Sequence, residues 1–133
     1  MNKKKTFAIL ALLVVALPAT YLVLNHTSYG AALPPWLSAD VLIIEGEVLS
    51  GRRTLFEDGR GYALDLRTDI PYQQVRKIYA DRYGPENLTD APGMGADFSV
   101  ARYRVGDQRI QMEIHAKDDY TYVSMAVHLG RWW

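Results

Sequence analysis

Two side chains in this sequence have the types and spacing for acid–base chemistry. Glu113 and His115 are two residues apart, so in a strand they project from the same face, where a carboxylate can orient an imidazole. That is half of a hydrolytic site. The other half, a nucleophile, has no recognisable carrier. No G-x-S-x-G, H-E-x-x-H or S-x-x-K pattern occurs, and the chain has no cysteine. A small hydrolase built on Glu113 and His115 is therefore a reading without a nucleophile, and the expectation is that the protein is not an enzyme. Gly93-Met94-Gly95 is an isolated G-x-G that follows no strand, opens no helix and has no phosphate-binding lysine, so it does not read as a phosphate cradle. No cofactor is expected.

Charge narrows the partners further. The 133 residues carry 15 Lys and Arg against 15 Asp and Glu. Three of the bases, Lys3, Lys4 and Lys5, stand at the extreme N-terminus, so the rest of the chain is net acidic by about three charges. Phosphate backbones require a basic surface, and a nucleic-acid partner is not expected. Without cysteine the chain has neither a disulfide framework nor a lipidated cysteine.

Thr6 to Leu24 is an uncharged apolar run of 19 residues. As a helix at ~1.5 Å per residue it spans ~28 Å, close to a hydrocarbon core of ~30 Å. Two readings compete. In a cleaved signal peptide the apolar region would be Phe7 to Leu17, and Pro18 would break the helix. The small-residue pairs required for cleavage fit poorly near Pro18; Ser28/Gly30 and Gly30/Ala32 fit better but lie far downstream. Apolar sequence also resumes at Tyr21 to Leu24, which favours an uncleaved signal anchor. The lysines precede the run, and no Lys or Arg follows until Arg52, so the N-terminus is expected in the cytoplasm and the remainder outside it. Residues 1–24 form the cytoplasmic tip and anchor, 25–39 a juxtamembrane linker stiffened by Pro34-Pro35, and 40–133 one folded domain. Tyr21, Tyr29 and Trp36 are candidate membrane-interface aromatics.

The domain reads as α+β. Val41 to Ile44 is β-branched and extended in character. Leu49–Phe56 and Gly61–Arg67 flank Glu57-Asp58-Gly59-Arg60, a hairpin signal in which Leu55 would face Tyr62. Asp69 is a candidate helix cap. Pro71 suits a first turn, and Tyr72, Val75, Ile78, Tyr79 and Tyr83 recur at helical spacing until Gly84-Pro85. Pro85 to Asp97 reads as a loop.

Three strands, Phe98–Val105, Arg109–Lys117 and Tyr120–Leu129, then form a meander with turns at Gly106-Asp107 and Asp118-Asp119. In that register Tyr103 meets Ile110, Ala101 meets Met112, Met112 meets Met125 and Ile114 meets Val123, which collects the apolar residues on one face. The helix covers that face, giving a ββαβββ antiparallel sheet behind an N-terminal transmembrane helix. The same register sets His115 and His128 about six residues apart, ~20 Å at ~3.3 Å each, so they share no metal, and none is expected.

The opposite face carries Arg102, Arg104, Arg109, Gln111, Glu113, His115, Tyr120, Tyr122, Ser124 and His128. It is either a solvated sheet face or a docking surface, because Tyr and Arg are enriched at interfaces. Arg104 opposite Arg109 asks for a carboxylate nearby or an acidic partner. Trp132 and Trp133 fall beyond the strand alternation: they fold back to seal an edge of the core, fray, or serve as candidates for a partner or lipid contact. The expectation is a single-pass, membrane-anchored binding module outside the cytoplasm (periplasmic in a Gram-negative cell). It would bind a protein, as an accessory subunit of an envelope complex or a tethered inhibitor or immunity protein. The alternative is a secreted, cleaved binding or inhibitor domain.

Overall fold

A computed structural model describes residues 3–90 and 97–130. The elements run α1 (Lys3–Asn25), β1 (Glu47–Phe56), β2 (Gly59–Thr68), α2 (Tyr72–Tyr83), a single 3-10 turn (Pro85–Asn87), β3 (Leu88–Asp90), β4 (Phe98–Val105), β5 (Gln108–Ala116) and β6 (Thr121–His128). The six strands form one antiparallel sheet in the order β1-β2-β6-β5-β4-β3. The last strand, β6, therefore lies at the centre of the sheet, between β2 and β5.

Every pair expected in the meander is present. Tyr103 lies opposite Ile110, Ala101 opposite Met112, Met112 opposite Met125, and Ile114 opposite Val123. Alternation then buries Ile110, Met112, Ile114, Val123, Met125 and Val127 on one face, together with Leu64 and Leu66 of β2. Helix α2 lays Tyr72, Val75 and Tyr79 against them, while Gln73, Gln74, Lys77 and Asp81 face water. Each fully buried Leu, Ile, Val or Met contributes on the order of 1.5–3 kcal/mol, so this face holds the domain together.

Four expectations are corrected. The first hairpin turns through Glu57 and Asp58 alone, so Leu55 lies opposite Arg60, and Tyr62 is paired with Arg53. The shift is two residues, which leaves every side chain on its expected face. Neither Glu57 nor Asp58 takes a positive φ, and Gly59, at φ 132, supplies the left-handed backbone instead. Asp69 does not cap α2. The chain is turned there by two buried threonines: Thr68 Oγ1 donates to the Glu45 carbonyl (2.7 Å) and accepts from Ile70 N–H (3.1 Å), and Thr121 Oγ1 donates to the Ile70 carbonyl (2.8 Å).

Val41 to Ile44 forms no strand. This segment crosses beside α2 with Val41 and Ile44 buried, because Leu42 N–H donates to Tyr83 Oη (2.8 Å) and Tyr83 donates to the Asp40 carbonyl (2.9 Å). The loop after α2 contains a strand, the three-residue β3, which pairs with Ser99 to Ala101 at the sheet edge.

Residues 25–39, read as a stiff juxtamembrane linker, lie against the domain. Thr27 to Gly30 lie along the outer edge of β1 as a strap. Arg53 N–H donates to the Thr27 carbonyl (2.8 Å), Tyr29 N–H to the Gly51 carbonyl (2.8 Å) and Gly51 N–H to the Gly30 carbonyl (2.9 Å). Pro34 is buried, and Leu37 packs against the core. A Cβ on Gly51 would lie 2.0 Å from the Ala32 carbonyl oxygen, so only glycine permits this crossing.

Helix α1 continues through Pro18 without interruption. Within it, Lys3–Tyr21 is long and apolar enough to cross a membrane, and none of that stretch is buried. Phe7, Leu10, Leu12, Val14, Val15 and Leu17 are all exposed. A helix apolar on every side has the form of a membrane anchor or an export signal.

Candidate functional site

The face of the sheet away from α2 has no covering element among the described residues, and every strand contributes to it. Register arranges its residues in rows across the sheet. One row runs Thr54, Gly61, His128, Arg109, Arg104; the next runs Arg52, Ala63, Ala126, Gln111, Arg102. Beyond them lie Asp65, Ser124 and Glu113, and then Arg67, Tyr122, His115 and Phe98. Gly61, Ala63, Ala126 and Ser124 are small, so the centre of the face is low between two clusters of long side chains.

The first cluster surrounds Asp58, at the β1–β2 turn. Its carboxylate forms an ion pair with Arg109 and accepts a hydrogen bond from His128 Nδ1 (2.8 Å). It supplies the negative charge that the opposed Arg104 and Arg109 require. Phe56 stacks on His128, with centroids 4.2 Å apart and planes at 29°. Burial lowers the affinity of His128 for a proton, and Arg109 lowers it further. The same side chains, with Arg102, Arg104, Tyr103, Ile110 and Gln111, line an open cleft of about 770 Å³.

The second cluster is tyrosine-rich. Tyr122 Oη donates to Asp65 Oδ1 (2.7 Å). Burial, then the bond to Asp65 and its charge, push the Tyr122 phenol up to about 12, so it remains a neutral donor at physiological pH. His115 Nε2 lies 3.2 Å from Glu113 Oε2, which realises the pair expected from their spacing. Phe98 lies 4.4 Å and Tyr122 5.6 Å from the His115 ring, centroid to centroid. Arg67 covers the Tyr120 ring at 4.2 Å. The hollow beside Glu113, lined also by Val100, Arg102, Gln111 and Ser124, is about 170 Å³, and His115 does not line it.

The candidate residues thus fall into two groups on one face: Arg102, Arg104, Arg109 and His128 in the first, and Glu113, His115, Tyr120 and Tyr122 in the second. Phe56, Asp58, Asp65 and Arg67 join them and were not singled out from the sequence. A two-residue turn at Glu57-Asp58 would have placed Asp58 beside His128. Among the described residues no three His, Asp or Glu side chains converge as a metal site requires. Of the interface aromatics, Tyr21 and Trp36 are exposed, while Tyr29 is half-buried in the strap. Trp132 and Trp133 lie outside the described residues, as does the G-x-G at 93–95. The chain matches no protein family, no characterised protein and no solved structure.

Proposed function

We propose that the protein is a membrane-anchored binding module, held outside the cytoplasm by α1, that engages a protein partner through the open face of its sheet. The observation that supports retention of the anchor is the strap. Cleavage at the better-fitting sites, after Gly30 or Ala32, would remove Thr27 and Tyr29, whose backbone groups bond to β1, and so would strip an edge from the domain. An uncleaved chain keeps both. The open face suits docking rather than catalysis: it offers arginine, tyrosine, histidine and phenylalanine around a low centre, and the acid–base pair Glu113/His115 does not share a cavity, since the small hollow at Glu113 and Ser124 is not lined by His115. The role that follows is that of an accessory subunit or tethered inhibitor in a cell envelope.

A reporter active only outside the cytoplasm, fused after Trp133, is expected to be active. The chain should stay in the membrane fraction after alkaline washing at its full mass, and chemical cross-linking followed by mass spectrometry should recover a protein bound through Tyr122 or His115. Release at reduced mass would establish the secreted form instead.

A further inference from the structure

The strap fixes which end of the domain is tied to the membrane. Helix α1 ends at Asn25, and two residues later the Thr27 carbonyl is bonded to Arg53. The strap then runs away from the Phe56 end of β1, toward Gly51. The tether therefore enters at the end of the sheet that holds the Glu57-Asp58 turn, the Gly106-Asp107 turn and the close of β6, where Leu129 N–H donates to the Arg60 carbonyl (3.0 Å).

Charge is divided along the same axis. In the strands and turns of the tethered half stand Arg52, Arg53, Arg60, Arg102, Arg104 and Arg109, against Glu57, Asp58 and Asp107. In the far half stand Glu47, Asp65, Asp69, Asp97, Glu113, Asp118 and Asp119, against Arg67 and Lys117. A domain that is acidic overall thus turns a basic pole toward its own anchor. Of the three tethered-pole acids, Asp58 is already occupied by Arg109 and His128. Arg102 and Arg104 are exposed at the mouth of the cleft.

We infer that this pole docks on an anionic phospholipid surface, with Arg102 and Arg104 reaching headgroup phosphates. The sheet then stands upright on the bilayer, and the tyrosine-rich cluster is presented to a partner away from it. This rests on the anchored reading above. The charge complementarity works at short range, and the tether is short: only five residues separate the apolar stretch, which ends at Tyr21, from Thr27 on the edge of β1. Arginine suits it, since its planar fork pairs with phosphate oxygens in two parallel hydrogen bonds.

The absence of cysteine makes the test direct. A single cysteine placed at Asp107→Cys or Asp119→Cys carries a fluorophore at one pole or the other, and both positions are exposed turns. The nine residues of β5 separate them by ~30 Å at ~3.3 Å each. The full chain is reconstituted in vesicles of phosphatidylcholine alone, or of phosphatidylcholine and phosphatidylglycerol in equal parts, each with a headgroup-attached quencher. Quenching at position 107 should exceed that at 119 and should rise with phosphatidylglycerol. Arg102→Glu and Arg104→Glu should each lower the docked population about fivefold or more, the factor that one arginine contributes near an anionic surface.

Equal quenching at the two poles, or indifference to phosphatidylglycerol in a chain that resists alkaline extraction, would overturn this inference and leave the anchored reading standing. So would loss of a protein partner, rather than of quenching, in the two glutamate variants. Extraction of the chain by alkali would overturn both.

Discussion

Gly51→Val is the sharpest test of how the tether is joined to the domain. Gly51 is buried in β1, and its φ is not in the left-handed region, so valine is acceptable to its backbone. The conflict is with the strap. The new Cβ would lie 2.0 Å from the Ala32 carbonyl oxygen and 3.4 Å from Pro34 Cδ, and because the first contact is backbone, no rotamer relieves it. The strap must lift. Three backbone hydrogen bonds go with it, those of Arg53, Tyr29 and Gly51. At a net value of about 1 kcal/mol each, the loss is about 3 kcal/mol before the exposure of Pro34 is added.

That is a large share of the ~5–15 kcal/mol that stabilises a small domain. It corresponds to a fall in Tm of roughly 12–24 °C at ~4–8 °C per kcal/mol. Amide hydrogen exchange reads the mechanism directly: the Gly51, Arg53 and Tyr29 amides should lose their protection in the variant, while those in β5 and β6 stay protected and fall only by the loss in global stability. Gly30→Ala is the control. Gly30 has φ 61 and nothing within 4 Å of a Cβ, so only the left-handed penalty of roughly 1–2 kcal/mol applies, with the strap in place. Unchanged protection at Gly51 and Arg53 in the valine variant would refute the reasoning.

Three further outcomes are expected. Ile114→Asp should unfold the domain, because Ile114 has no exposed surface and a buried, unpaired carboxylate costs several kcal/mol, whereas Glu113→Ala, one residue away on the open face, should shift Tm by little; equal effects in thermal melts would refute the register. His128 should titrate below the usual ~6.5 in an NMR pH series, and Arg109→Gln, which removes a cation and frees Asp58, should raise its pKa; a value unmoved by the substitution would contradict the Asp58 network. The folded state disfavours His128 protonation, so this group's contribution to stability is complete above ~6.5 and is lost as pH falls from there toward the folded pKa. Thr68→Val keeps shape but removes the hydroxyl that bridges Glu45 and Ile70, and should cost about 1–3 kcal/mol by denaturant unfolding.

The meander was legible because its two-residue turns and its apolar alternation constrain the same register independently, and a slip by one residue would have put Ile114 and Met112 in water. The β1–β2 hairpin was less so. Its arms carry few apolar residues on the open face, so a shift of two costs nothing in alternation, and only the turn distinguishes the registers. That shift hid Asp58 from His128 and Arg109. The strap was invisible for a different reason: backbone hydrogen bonds at a sheet edge leave no side-chain pattern, and the only trace is a glycine at position 51, which has many explanations in a sequence. Asp69 looked like a cap because capping is read from local sequence, whereas the actual partners, Thr68 and Thr121, meet across 53 positions of chain. Both clusters on the open face follow from strand parity, and their separation follows from the meander register.

The position of β6 bears on how such a chain is made. This strand follows the other five in the chain yet fills the gap between β2 and β5, so the N-terminal hairpin and the β3–β5 segment have no strand joining them until it is in place. Nascent segments emerging behind α1 cannot close prematurely into the finished fold. If the domain is exported as proposed above, the chain stays threadable until β6 has passed through the export channel. Loss of β6 would leave the two halves of the sheet unjoined rather than a slightly shortened domain, so the fold is its own check on a complete sheet.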